Sequence, residues 1–93
     1  MILDISLTNH ALYAGLSIEE LAGKSTLLTT AEEAIPVLAA NLGMMEIDSE
    51  EVVLTGSMAI WAYLVTFHFL HGKTRRIYYE DGRGNRVLVA AHG

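Results

Sequence analysis

The sequence predicts a small α/β domain, with α+β as the alternative, in which a single layer of about four strands packs on two or three helices. The chain has 93 residues, of which 52% are hydrophobic, so it can bury one core but is too short for two domains. A β-branched run followed by a tight turn and a long apolar segment predicts a strand, a turn and a helix at its centre. We therefore treat residues 1–93 as one domain built around this β-turn-helix unit.

The first half of the chain is expected to contain one strand and two helices. Residues 1–6 alternate weakly between apolar and polar side chains and predict a strand. The segment Ser17-Ile-Glu-Glu20 has the form of a capping box, which predicts a short helix ending at the next glycine. Residues 30–33 form a second capping box, after which apolar residues recur at helical spacing until Gly43. Pro36 lies late for a first-turn proline, so this helix is expected either to be kinked or to begin later than its box indicates.

The second half is predicted to form a strand, a turn, a helix and a hairpin. The predicted elements are a strand over residues 51–55, a turn at Gly56-Ser57, a helix over residues 57–71 and strands over residues 76–80 and 86–91. Gly72 follows the helix, and the basic residues just beyond it suit the negative end of the helix dipole. Residues 81–85, Asp-Gly-Arg-Gly-Asn, are the strongest hairpin signal in the chain.

Composition excludes several classes of protein. The absence of cysteine excludes disulfide scaffolds, zinc ribbons and thiolate nucleophiles, so a metal would have to be bound by His, Asp or Glu. The apolar run of residues 58–70 is shorter than a membrane span, which needs about 20 residues. The N-terminal segment carries Asp4 and no basic residue, unlike a secretory signal, so we expect a cytoplasmic protein without a membrane partner.

Charge is unevenly distributed along the chain. The net charge is -5, which argues against general nucleic-acid affinity, and no DNA partner is expected. Nine of the eleven acidic residues precede residue 52, whereas five of the six basic residues lie between residues 73 and 86. The C-terminal third is therefore locally basic and suited to an anion.

Candidate ligand-binding residues lie on the central helix and in the turn before it. At about 100° per residue, one stripe of this helix carries Ser57, Trp61, Leu64, His68 and His71. His68 and His71 are three residues apart, a spacing at which two imidazoles can approach one ion or substrate. The turn Thr55-Gly56-Ser57 presents free N–H groups and the positive end of a helix dipole, which suits an anion. The structural alternatives are that each histidine is merely a partly exposed residue near the helix end and that the turn is an ordinary short connection.

Four residues in the last quarter of the chain have complementary chemistry, namely His71, Asp81, Arg83 and His92. Imidazoles exchange protons near neutral pH, and a guanidinium stabilises the charge of a phosphorane-like transition state. A His/Asp pair, here His71 and Asp81, could also hold a divalent ion. The set therefore predicts phosphodiester chemistry. In the alternative, Asp81 serves the turn, Arg83 faces water and His92 belongs to a frayed terminus.

From Val52 onward the sequence resembles the CRISPR-associated Csx-three family, a small ring nuclease of type III immunity. The N-terminal half has no matching motif, so the resemblance covers about the last 40 residues. It rests on a strand running into Gly56, followed by Ile60-Trp61-Ala62-Tyr63, His68-x-x-His71, Asp81-x-Arg83 and a terminal strand ending in His92.

The resemblance implies a hydrolase that degrades cyclic oligoadenylate, chiefly cyclic tetra-adenylate, and so switches off antiviral signalling. It also implies a manganese requirement, for which the candidate ligands are His71 and Asp81, and an older description as a ribonuclease makes short RNA a second possible substrate. Residues matched to positions that act in cleavage are His71, Asp81, Arg83 and His92. Residues matched to the ligand-facing turn and helix are Gly56, Ser57 and Trp61, to which we add His68.

Two other functions stay open on the sequence alone: a non-catalytic module that binds a cyclic nucleotide or RNA, and a dimerisation domain. The central helix is apolar all round, which a four-stranded sheet cannot cover, so a homodimer or tetramer is expected. A strand over residues 86–91 advances about 3.3 Å per residue and carries His92 away from the Asp81/Arg83 loop. If these three residues serve one reaction, the active site must be shared between chains.

Overall fold

A mixed four-stranded sheet organises the chain. In chain order the computed structural model, which describes residues 1–92, contains β1 (Ile2–Asp4), β2 (Ile18–Leu21), β3 (Lys24–Leu27), α1 (Ala31–Met44), β4 (Glu51–Thr55), α2 (Ile60–His71), β5 (Arg76–Glu80) and β6 (Arg86–Ala91). The sheet order is β1-β4-β5-β6, with β1, β4 and β5 parallel and β6 antiparallel to β5. Strands β2 and β3 form a separate antiparallel hairpin. The protein therefore has the small α/β fold that the sequence predicts.

Both helices pack on the same face of the sheet. Strand side chains alternate between the two faces, so residues two apart in a strand reach the same helix layer. The buried cluster that joins the sheet to the helices includes Leu3, Val52, Leu54, Ile77, Leu38, Leu42, Ala62 and Leu70. The core thus lies between one face of the sheet and the inner sides of α1 and α2.

The predicted β-turn-helix unit is present as β4 and α2. Because β4 and β5 are parallel, α2 begins near the carboxyl end of β4 and ends near the amino end of β5. The helix begins at Ile60, later than predicted, and Ala59 at its N-cap makes no side-chain capping bond. Gly56 and Ser57 therefore belong to the preceding loop. Among residues 1–92, no helix has the length and apolar content needed to cross a membrane.

Helix α1 begins where the second capping pattern predicts, with Thr30 as its N-cap residue. The Thr30 hydroxyl oxygen accepts a hydrogen bond from the Glu33 N–H at 3.3 Å, and the helix begins at Ala31. Its start is therefore not delayed by Pro36, which lies inside the helix and removes one intrahelical donor. The helix ends at Met44, one residue beyond the predicted glycine.

The short helix predicted from Ser17-Ile-Glu-Glu20 is wrong, because this segment is β2 of the hairpin. Ala22 and Gly23 both have positive φ, 54° and 78°, which makes a two-residue turn that favours hairpin pairing. The carbonyl of Ser17 accepts a hydrogen bond from the Leu28 N–H at 2.8 Å. Residues 18–21 therefore form a strand because they pair with β3, which immediately follows the turn, and the local capping pattern does not determine their conformation.

Gly56 provides a test of how tightly the end of β4 is packed. Its φ is +105°, and a Cβ at this position would overlap Asp4 Oδ1 and come within 2.9 Å of the Ser6 nitrogen. We predict that Gly56→Ala lowers the free energy of unfolding by more than about 1 kcal/mol, measured by urea denaturation. Gly72→Ala is the control, because a Cβ there meets nothing within 4 Å. Equal stability of the two variants would contradict the packing described at this loop.

Candidate functional site

The candidate site residues lie at opposite ends of β5 and β6. Arg76 pairs with Ala91 at one end of this strand pair, and Glu80 pairs with Arg86 at the other. One end, here termed the histidine end, carries His71, Lys73, Arg75 and His92. The other, termed the loop end, carries Gly56, Ser57 and residues 81–85. Within one chain the structure therefore separates His92 from the Asp81/Arg83 loop, as the sequence predicts.

The structure brings His71 and His92 together at the histidine end. Their ring centroids are 4.5 Å apart, with an interplanar angle of 83°. His71 is the last residue of α2, and its ring also lies 5.6 Å from that of Phe67. The backbone N–H of His92 donates to the Arg75 carbonyl at 2.7 Å, which extends the β5–β6 pairing by one step. Both imidazoles are thus positioned by regular structure and remain exposed to solvent.

A cavity of about 610 Å³ opens beside the two histidines. Its lining residues are Ser49, His71, Gly72, Lys73, Thr74, Arg75 and His92. The only formal charges among these residues are those of Lys73 and Arg75. Arg75 lies 3.8 Å from Glu50, but both side chains are largely exposed, so this ion pair is weak. The histidine end therefore combines two proton-transfer groups with two cations, an arrangement suited to a phosphate.

Lys73 and Arg75 are residues that the sequence analysis did not assign to the site. They were interpreted as basic residues that complement the helix dipole and make the C-terminal third suited to an anion. Their position directly after His71 was a usable signal for the site. Lys73 Nζ lies 4.7 Å from the centroid of the Phe69 ring, and this contact holds the side chain near the end of α2. Thr74 is buried and donates its hydroxyl to the Asp48 carbonyl at 3.0 Å, so its role is structural.

At the loop end, the Asp81 carboxylate organises the hairpin loop. Asp81 Oδ1 accepts hydrogen bonds from the backbone N–H groups of Arg83 at 2.8 Å and Asn85 at 3.0 Å. Asp81 Oδ2 accepts from the Asn85 side-chain amide at 3.1 Å. The side-chain and backbone hydrogen bonds from Asn85, together with that from Arg83, lower the pKa of Asp81 below its ordinary value. Asp81 is therefore ionised near neutral pH and fixes the loop that displays Arg83.

Two adjoining cavities flank Gly56 and Ser57, with volumes of about 400 and 320 Å³. Tyr79 lines both, and Tyr63 lines the larger one. The Tyr63 hydroxyl donates to the Gly56 carbonyl, and its ring lies 5.6 Å from that of Tyr79 in an edge-on arrangement. Burial raises the pKa of Tyr63, with smaller contributions from Tyr79 and Asp4. Neither tyrosine was among the predicted site residues, although Tyr63 belongs to the Ile60-Trp61-Ala62-Tyr63 segment that carries the family resemblance.

The structure does not bring Trp61 or His68 into these sites. Trp61 is half-buried and packs against the core, and it is not among the residues that line the cavities at Gly56 and Ser57. His68 is exposed on α2 and lines none of the three cavities described. His68 therefore has the position of an ordinary exposed histidine on a helix, which was the structural alternative to a ligand-binding role.

The two candidate manganese ligands are not brought together within one chain. His71 and Asp81 lie at the histidine end and the loop end respectively, so they cannot bind one ion within a single chain. Among residues 1–92, no group of three or more His, Asp or Glu side chains is arranged to hold a metal. His71 and Asp81 of one chain are therefore too far apart to bind the same ion, and the manganese requirement stays a prediction.

Comparisons with protein-family models, with curated proteins and with solved structures found no match.

The lowered pKa of Asp81 predicts a pH-dependent contribution to stability. A carboxylate whose folded-state pKa lies below its unfolded value of 3.8 stabilises the fold above that pH, and the contribution is lost as the pH falls through the folded-state pKa. We predict that Asp81→Asn is less stable than the wild type at pH 7 and that the difference narrows on acidification below about pH 4. Melting temperatures between pH 7 and pH 2 would measure it.

Glu46→Gln is the control for this titration. Glu46 is exposed and makes no ion pair or side-chain hydrogen bond with the described residues. Its replacement should shift the melting temperature by a small amount that changes little with pH. An Asp81→Asn variant with the same flat profile would contradict the assignment of Asp81 as the ionised centre of the loop.

Proposed function

We propose that this protein is a ring nuclease that cleaves cyclic oligoadenylate, with cyclic tetra-adenylate as the preferred substrate, and thereby ends antiviral signalling of the type III CRISPR kind. The observation that carries the cleavage chemistry is the His71/His92 pair, whose ring centroids are 4.5 Å apart beside a cavity with Lys73 and Arg75. The choice of cyclic oligoadenylate as the substrate rests on the family resemblance. Imidazoles can act as the general base and general acid of a phosphodiester cleavage by an internal hydroxyl, and neighbouring cations can stabilise the charge that develops on the phosphate.

The substrate supplies its own nucleophile. The ribose 2'-hydroxyl attacks the adjacent phosphorus, so that a 2'-O–P bond forms while the bond from phosphorus to the 5'-oxygen of the next ribose breaks. One imidazole accepts the proton of the 2'-hydroxyl, and the other donates a proton to the departing 5'-oxygen. The products are a 2',3'-cyclic phosphate and a free 5'-hydroxyl, and no water or redox partner is consumed in this step.

The cations stabilise the charge that develops on the phosphoryl oxygens. Lys73 and Arg75 lie at the same cavity as the two imidazoles, so they are placed to bind the non-bridging oxygens. Both residues are exposed in the free protein and are therefore accessible to a bound phosphate. In this arrangement His71 and His92 transfer the protons, and Lys73 and Arg75 stabilise the charge on the phosphate.

The loop end contributes through a second chain. Arg83 is exposed on the loop that Asp81 fixes, and neither residue can reach His92 of its own chain. We assign Arg83 as an additional phosphate contact supplied by a partner, and Asp81 as the positioning residue that holds the loop carrying it. Gly56 and Ser57 lie at the same end and would bind another part of the ring.

Turnover of cyclic tetra-adenylate tests the proposal directly. The wild type should convert it to linear products ending in a 2',3'-cyclic phosphate, resolved by chromatography, and His71→Ala should lower the rate by at least about 100-fold. The variant should keep its melting temperature, because the His71 side chain is exposed at a helix end. His10→Ala is the matched control, since His10 is also exposed but lines none of the described cavities.

Each outcome of this assay discriminates between functions. No conversion by the wild type, with or without added Mn2+, would remove the nuclease proposal. Tight binding without conversion would instead identify a nucleotide-binding module. A His71→Ala variant that retains activity within a few-fold of the wild type would show that the imidazole pair does not perform the proton transfers.

A further inference from the structure

Tyr79 of β5 has an exposed aromatic ring at the loop end. Its side chain lies on the helix-covered face of the sheet, the same face as Ile77 two residues earlier. Ile77 is fully buried there, whereas Tyr79 is 40% exposed. The Tyr79 ring lines both cavities beside Gly56 and Ser57, whose volumes are about 400 and 320 Å³. This ring is therefore accessible to a ligand, and the proton transfers at the histidine end do not use it.

The neighbours of Tyr79 fix its surroundings and leave its ring open. The Tyr63 ring lies 5.6 Å away at an interplanar angle of 75°, which is an edge-on contact. Such a contact covers at most one face of the Tyr79 ring. The Tyr63 hydroxyl donates to the Gly56 carbonyl, and the Thr55 hydroxyl donates to the Glu80 carbonyl at 3.0 Å. These bonds tie α2, β4 and β5 together around the cavities, so the open face of Tyr79 belongs to a formed site.

Two exposed aliphatic side chains adjoin the aromatic ring. Val87 is the cross-strand partner of Tyr79 and is 57% exposed. Paired residues of neighbouring strands lie on the same face of a sheet, so Val87 stands beside Tyr79. Ile60, which is 77% exposed, lines the larger cavity together with Tyr79. The site thus offers an apolar surface around a flat ring, which a flat aromatic ligand can cover.

The cavities at the loop end are close to electrically neutral. Among the described residues that line them, only Glu80 carries a formal charge. Its Oε1 lies 3.5 Å from Arg86 Nη2, so the carboxylate already has a partner. Lys73 and Arg75 line the cavity at the histidine end, and no carboxylate lines it. A phosphate is therefore favoured at the histidine end, and an uncharged aromatic group at the loop end.

We propose that the loop-end cavities bind a nucleobase, which stacks on the open face of the Tyr79 ring. Every base has a flat π-face, and exposed aromatic side chains of sheets are a common platform for it. Both cavity volumes lie within the range of about 300–1,000 Å³ that is usual for small-molecule sites. Ser57 is exposed and lines both cavities, so it is placed to form hydrogen bonds with an edge of the base.

The site and the identity of its base rest on different grounds. The base site follows from the open ring, the cavities and their charge, and it needs no assumption about cleavage. That the base is adenine rests on the proposed function. In that reaction Tyr79 is a specificity-determining residue, because it binds a base of the substrate while phosphate is bound at a histidine end.

Nuclear magnetic resonance with free adenosine tests the base site without any cleavage. In the ¹⁵N-labelled wild type, adenosine should shift the backbone amide signals of Gly56, Ser57 and Tyr79 and leave that of Lys73 unchanged. Tyr79→Leu should weaken the apparent affinity at least about fivefold, whereas Tyr79→Phe should retain it because a phenyl ring keeps the π-face. Tyr78→Leu is the matched control, since Tyr78 is the adjacent residue on the other face of β5 and lines none of the described cavities. Circular dichroism confirms that each variant is folded.

Inorganic phosphate provides the opposing measurement, and it should leave the three loop-end amide signals unchanged. The absence of adenosine-dependent shifts at these residues would overturn the base site, as would an unchanged affinity in Tyr79→Leu. Shifts of the same signals by phosphate alone would identify an anion site and would also overturn it. Adenosine binding at Tyr79 by a protein that does not cleave cyclic tetra-adenylate would contradict only the proposed function.

Discussion

The direction of the chain at β5 is the constraint on which the rest of the candidate site depends. β4 and β5 are parallel, so α2 must return to the amino end of β5, and this places His71 there. β5 and β6 are antiparallel, so β6 ends at the same point and brings His92 beside His71. The same directions send the Asp81/Arg83 loop to the carboxyl end of the parallel strands. The geometry thus pairs two imidazoles and separates them from the loop.

The outer side of α2 and strand β6 both carry exposed apolar side chains. The helix layer covers one face of the sheet, and the inner side of α2 is buried through Ala62, Thr66 and Leu70. Its outer side leaves Ile60 and Leu64 exposed, and exposed apolar residues continue on β6. The other apolar residues of α2 are buried or half-buried by the chain's own residues, so the exposed apolar surface of this helix is confined to one stripe. Association between copies is the economical way to reduce that exposure, and it would complete the separated site.

The second half of the fold could be predicted from the sequence because local signals there agree with the tertiary structure. The bounds of β4, β5 and β6 match the predicted strands, and the Asp81 hydrogen bonds explain why residues 81–85 form the loop. The segment before α1 could not be predicted in this way. Its Ser17 capping pattern is compatible with a helix, and only pairing with residues 24–27 decides for a strand.

The site was predicted less completely than the fold. Sequence spacing indicated that His92 lies far from the loop, but it did not place His71 beside His92, because no local pattern states which strands are parallel neighbours. It also grouped His68 and Trp61 with the ligand-facing residues, although Trp61 packs against the core and His68 is exposed to solvent. Helical periodicity defines a stripe of residues, and only packing decides which stripe faces a cavity.

Subunit complementation tests the central claim, a site shared between copies, most directly. His92→Ala and Arg83→Ala proteins, each inactive alone, are mixed after dissociation and reassociation, and turnover of cyclic tetra-adenylate is measured. Random exchange makes half of the dimers mixed, and each mixed dimer has one intact site of two, so about a quarter of wild-type activity should return. Activity that stays at the level of the separate variants, although light scattering and mass tagging show that the subunits have exchanged, would contradict a shared site.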